Sequence, residues 1–143
     1  MDRASAREHS IRLGHRFYLA TNSPSGFPNV TPIDIAWPDP TGPIYIATTN
    51  SSWKVKDIAS SPKVTLHSNV GADYDQLRVR GTATVRDDAE TRARLWKGVF
   101  GYDLAMFFGS ADNPQLCYLA IEPSRIVLDK MMGQNGRETW PEA

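Results

Sequence analysis

Between Gln76 and Arg86 the chain alternates: Leu77, Val79, Ala83 and Val85 share one parity, and Gln76, Arg78, Arg80, Thr82 and Thr84 share the other. An extended strand turns successive side chains to opposite faces, so this pattern predicts one wall of a sheet with a core on one side only. Gly81 sits in the apolar register without a side chain and predicts a bulge or a sharp bend. A bent wall belongs to a sheet that curls.

The rest of the chain supplies strands for closure. Residues 17–21, about 29–37, 44–48, 64–67, 116–121 and 125–128 are rich in strand formers and are separated by turn clusters such as Asn22-Ser23-Pro24-Ser25-Gly26 and Pro38-Asp39-Pro40-Thr41-Gly42-Pro43. Glu122-Pro123-Ser124 reads as a short connection between the last two strands. Helices are predicted over residues 1–14, where Ser5 and Glu8 have capping-box spacing, over 53–59 after Ser51 or Ser52, and from Asp87 to about Gly101 with Leu95, Trp96 and Val99 as the buried stripe. Residues 131–143 have weak periodicity and read as a tail or arm. The expectation is one domain over 1–143, mainly β (α+β), a closed or partly closed antiparallel barrel with helices inserted between its strands.

Residues 44–48, Ile-Tyr-Ile-Ala-Thr, are apolar on both faces and predict a central strand. A chain of 143 residues is short for burying both sides alone, which predicts an obligate homodimer.

Composition removes several function classes. Lys and Arg together number 16, as do Asp and Glu, so no global field gathers nucleic acid or an anionic membrane. No apolar run has the length of a membrane span and the N-terminus has no apolar leader core, so the expected location is the cytoplasm. Cys117, inside an apolar run, reads as a buried structural thiol. His9, His15 and His67 are scattered, which predicts no metal site. Trp96, Phe100, Tyr102, Phe107 and Phe108 read as core, and Asp112-Asn113-Pro114 as a turn.

The informative segment for chemistry runs from Ile44 to Ile58, where an apolar strand ends in hydroxyl residues and passes into a helix start bearing Lys54. Free amides, the helix dipole, the hydroxyls of Ser51 and Ser52 and an ammonium make a phosphate cradle without the glycines of a P-loop. Gln76, Arg78 and Arg80 project from the polar face of their strand toward a ligand edge or toward solvent.

These segments together resemble the pyridoxamine 5′-phosphate oxidase-like superfamily of FMN-binding split barrels, which includes general stress proteins. The resemblance rests on Gly26-Phe27-Pro28-Asn29-Val30-Thr31-Pro32-Ile33, on Thr48 through Ser52-Trp53-Lys54, on Ser61-Pro62-Lys63-Val64, on residues 76–83, and on Phe108-Gly109 ahead of Asp112-Asn113-Pro114. It implies a mainly β (α+β) fold, a split antiparallel β-barrel with peripheral helices, and FMN at a homodimer interface, with Thr48, Ser52 and Lys54 at the phosphate or ribityl chain, Trp53 beside them, Thr31, Pro32 and Ile33 along the ring, and Gln76 reaching the cofactor. The family's oxidases proper carry arginine where Thr31 stands and a basic residue where Trp53 stands. The implied activity is oxidoreduction of a small molecule, with the flavin rather than a named catalytic residue supplying the redox chemistry. A related branch, alike in Val30-Thr31-Pro32-Ile33, implies a deazaflavin coenzyme instead. A non-catalytic stress module binding flavin, haem or a protein is the third reading.

Overall fold

The computed structural model describes residues 1–131 and 136–142. Seven strands form one antiparallel sheet: β1 (Arg16–Asn22), β2 (Pro28–Asp34), β3 (Ile44–Thr49), β4 (Lys63–Ser68), β5 (Gln76–Arg86), β6 (Leu116–Lys130) and β7 (Gly136–Trp140). Their order is β2-β1-β4-β5-β6-β3, with β7 beside β6. A single bridge between Ala36 and Tyr45 joins the chain beyond β2 to β3, so the sheet curls shut at one point and stays split alongside β2. This is the split barrel with peripheral helices that the resemblance implies.

Packing follows the parity of the strands. Phe17, Leu19, Ile44, Ile46, Leu66, Leu77, Val79, Leu119, Ile121, Ile126 and Leu128 fill the barrel interior and are all but inaccessible to solvent. A second cluster lies outside the wall formed by β3 and β6, where Tyr45, Leu116, Tyr118 and Ala120 pack against Leu95, Phe100 and Leu104. Cys117 is buried and free, as expected.

Several expectations change. β3 is not central: it ends the strand path and, among the described residues, pairs only with β6 apart from the Ala36 bridge. Its two apolar faces are covered by the barrel interior and by the second cluster, so one chain buries both and this strand gives no argument for a dimer. Residues 116–121 and 125–128 are not two strands but one, β6, in which Glu122-Pro123-Ser124 forms a bulge rather than a connection. The tail is partly a strand, since β7 pairs with Ile126 to Lys130; residues 132–135 and 143 lie outside the described residues.

Helix α1 (Arg3–Leu13) lies within the expected 1–14 span, but its N-cap is Asp2 rather than Ser5, Asp2 accepting the Ser5 amide at 2.8 Å. Helix α2 is Trp53–Ser60. Helix α3 (Ala89–Leu95) is shorter than expected and is capped by Asp88 instead of Asp87. Beyond α3, Gly98 takes a positive φ of 75°, a conformation that breaks helices. A one-turn helix, α4 (Ala105–Phe108), follows beyond the span of the expected helix. It leaves Phe107 69% exposed, so the aromatic cluster is core only in part.

The α3 cap gives a pH prediction. The Asp88 carboxylate accepts from the Thr91 amide at 3.0 Å and from its hydroxyl at 2.9 Å, and these bonds hold its pKa down from 3.8 to about 2. A carboxyl depressed on folding contributes stability above its unfolded pKa and loses it as pH falls through the folded one. The Tm advantage of the wild type over Asp88→Ala should therefore shrink from pH 3.8 toward about pH 2. Thermal melts of both proteins across that window check it.

Candidate functional site

The segment from Thr48 to Lys54 folds into a cradle because a buried strand must hand its chain to a helix within four residues. Thr48 is buried opposite Cys117 at the end of β3. Asn50 fastens the turn by donating its amide to Gln115 O at 2.9 Å and its side chain to Pro114 O at 2.8 Å. Ser52 is then extended (φ −68°, ψ 152°) at the N-cap of α2 but makes no side-chain cap bond. Its Oγ accepts from Thr48 Oγ1 at 3.4 Å instead. Helix geometry leaves the amides of Trp53, Lys54 and Val55 without an intrahelical acceptor, so they are available to an anion.

Lys54 supplies the charge. It is half-buried, and burial pushes its pKa below the usual lysine range, with a smaller opposing influence from the Cys117 thiol. Its Nζ lies 5.3 Å from the centroid of the partly exposed Trp53 ring, and among the described residues it forms no salt bridge. A half-buried ammonium that forms no salt bridge is held at a cost that an anion would relieve. Thr48, Ser52, Trp53 and Lys54 are thus brought together as a site that fits a phosphate.

The other four predicted residues lie elsewhere. Pro32 is on the outer face of β2, on the row through Tyr18, His67 and Arg78. Thr31 and Ile33 have the opposite parity, and Ile33 packs against the barrel core. Gln76 begins β5 opposite Asp129, at the end of that strand remote from the β3 terminus. A recess of about 450 Å³ on the outer face includes Lys63, Thr65 and Arg80 but not Gln76. Next to the end of β2, Asp34, Tyr102, Phe107 and Phe108 line a further recess of about 270 Å³. Burial pushes the Tyr102 hydroxyl up to about 12, assisted by the Asp34 carboxylate. Among the described residues no three His, Cys, Asp or Glu side chains gather as metal ligands, and no helix is long and apolar enough to cross a membrane.

Sequence reasoning missed Asp57. This α2 carboxylate is 4% exposed and accepts from Thr21 Oγ1 at 2.7 Å and Asn29 Nδ2 at 2.8 Å. Its only local signal is its place beside Val55 and Ile58, since its partners are 36 and 28 residues away.

Comparison with known proteins agrees with this architecture. Residues 8–128 match the family described as pyridoxamine 5′-phosphate oxidase. General stress protein 26 of Bacillus subtilis is 30% identical over 90 residues, a match that covers 59% of this chain and 60% of that protein. A pyridoxamine 5′-phosphate oxidase-related, FMN-binding protein from Nostoc punctiforme superposes with a TM-score of 0.73 at 21% identity, covering 94% of this chain and 85% of that one. A heme-binding protein from Mycobacterium smegmatis has the same TM-score at 13% identity, covering 97% and 58%. At these identities the two structures show a shared fold.

Proposed function

The chain belongs to the pyridoxamine 5′-phosphate oxidase family, and we propose that within it this protein is an FMN-dependent oxidoreductase of a small molecule. The observation that carries this reading is the half-buried Lys54, without a salt bridge among the described residues, beside the Thr48–Ser52 pair and the open amides of α2. That combination suits the phosphate monoester of FMN: amides and hydroxyls donate to its oxygens and Lys54 balances its charge. Bound FMN would supply hydride and electron transfer. Thr31 and Ile33 offer one face of strand β2 as the ring wall, with Pro32 between them contributing backbone, and the aromatic recess beside Asp34 lies at the end of that strand, where a small planar substrate would sit.

The reading includes a homodimer with the cofactor shared across its interface, acting in the cytoplasm. Its support is the outer face of β1 and β2, where Tyr18 and Val30 stand 42% and 60% exposed on neighbouring rows, with Phe27 75% exposed at the hairpin. A second copy would cover that apolar face, and Gln76 of one protomer would then be free to reach a cradle it does not approach along its own sheet.

One preparation tests these points together. The purified protein is denatured, its chromophore identified by absorbance and mass, and the native sample sedimented at micromolar concentration. FMN in a dimer is the expected result. A deazaflavin assigns the protein to the related branch, a Soret band assigns it to haem, and a folded monomer with FMN removes the shared interface.

A further inference from the structure

Asp57 is the one buried carboxylate among the described residues, and both of its side-chain donors come from the same pair of strands. Thr21 on β1 and Asn29 on β2 are direct cross-strand partners, and both donate to its Oδ2. Asn29 shares one parity of β2 with Thr31 and Ile33, and the register continues that face along the strand. On the helix side, Asp57 lies three residues beyond Lys54 and so one turn away on nearly the same side of α2. One carboxylate therefore fastens the helix of the phosphate cradle to the strand proposed as the ring wall.

We infer that Asp57, through Asn29, is a positioning residue that sets the distance between the phosphate cradle and the ring wall, while its bond to Thr21 serves the fold alone. This rests on the flavin reading given above. The two hydrogen bonds share an acceptor and are alike in length, and the Thr21 bond is the more deeply buried, so a purely structural role predicts that losing Thr21 costs at least as much as losing Asn29. A positioning role does not, because only Asn29 belongs to the strand that carries Thr31 and Ile33.

The test compares Asn29→Leu with Thr21→Val by FMN titration, followed through flavin fluorescence, and by urea unfolding of the same samples. The loss of stability in Thr21→Val should match or exceed that in Asn29→Leu, but FMN dissociation should rise about ten-fold in Asn29→Leu and less than about two-fold in Thr21→Val. The exchanged pair Asp57→Asn/Asn29→Asp rebuilds a carboxylate–amide bond between helix and strand and should bring FMN affinity back to within about three-fold of wild type. If Asn29→Leu does not fold, Asn29→Ser, too short to reach the carboxylate, replaces it. Equal FMN losses in the two single variants, or no rescue by the exchanged pair, overturn the positioning role while leaving the flavin reading intact. Failure of the wild type to take up FMN overturns both.

Discussion

Replacing Lys54 by alanine should weaken FMN binding by about ten- to a hundred-fold, since a hydrogen bond to a charged partner contributes roughly 1.5–3 kcal/mol. The effect should be large here because Lys54 is the one formal cation within the cradle segment Thr48–Lys54, Thr31 and Trp53 being uncharged. Folding should change little: alanine is the better helix former, and the substitution removes an ammonium whose pKa burial already depresses. Riboflavin, which lacks the phosphate, separates the mechanisms. Affinity for it should be nearly indifferent to the substitution if Lys54 acts on phosphate. Equal losses for both ligands would mean that Lys54 acts by packing, and no loss for either would make it a bystander.

The depressed pKa adds a pH signature to the same experiment. Lys54 loses its charge at a lower pH than an ordinary lysine, and bound phosphate would pull the proton back. FMN affinity should therefore fall with rising pH before ordinary lysines titrate. In Lys54→Ala that fall should vanish, and riboflavin should show none in either protein.

What the sequence discloses here depends on the range of the interaction. The face of β5 is legible residue by residue because alternation is local, and the cradle is legible because its strand end, hydroxyls and lysine are contiguous. β3 shows where locality stops: its apolar faces are real, but the cover over Tyr45 comes from Leu95, Phe100 and Leu104, about fifty residues on. An apolar strand looks the same from sequence whether a sheet, a helix or a second chain covers it. Asp57 is further out of reach, for its role is set by Thr21 and Asn29 on a hairpin that precedes it, and a lone helical carboxylate ordinarily reads as solvated surface. The placement of Gln76 relative to Lys54 is a property of the barrel as a whole, and within one chain the two sit toward opposite ends of the sheet.

Gly81→Ala should destabilise the barrel by about 3 kcal/mol, the upper end of what overpacking a close-packed site costs. A Cβ built on Gly81 would stand 2.5 Å from the Glu122 carbonyl oxygen and 2.9 Å from Ile121 Cγ2. The first of these atoms is backbone and cannot rotate away. The contact is close because β5 and β6 change register there: Arg80 pairs with Arg125 and Gly81 with Pro123, leaving Ser124 as the extra residue. Proline in a central strand ordinarily argues against the strand, since it cannot donate to the ladder. Here the bulge accommodates it, and Ser124 Oγ donates to Arg80 O at 3.2 Å. At this same corner β6 changes neighbours on its other edge, from β3 along Leu116 to Ile121 to β7 along Ile126 to Lys130. A side chain at Gly81 would push apart the strands where the wall must bend, so it acts on closure and not merely on one contact. Gly42→Ala is the control, as its Cβ would meet nothing nearer than 3.6 Å; it should change stability by less than about 1 kcal/mol. The measurement is urea unfolding, with a lower midpoint at unchanged slope expected for Gly81→Ala and a Tm drop of roughly 10 °C. A midpoint equal to that of Gly42→Ala would mean that the corner yields freely and that the bulge, not the missing side chain, is what the barrel requires.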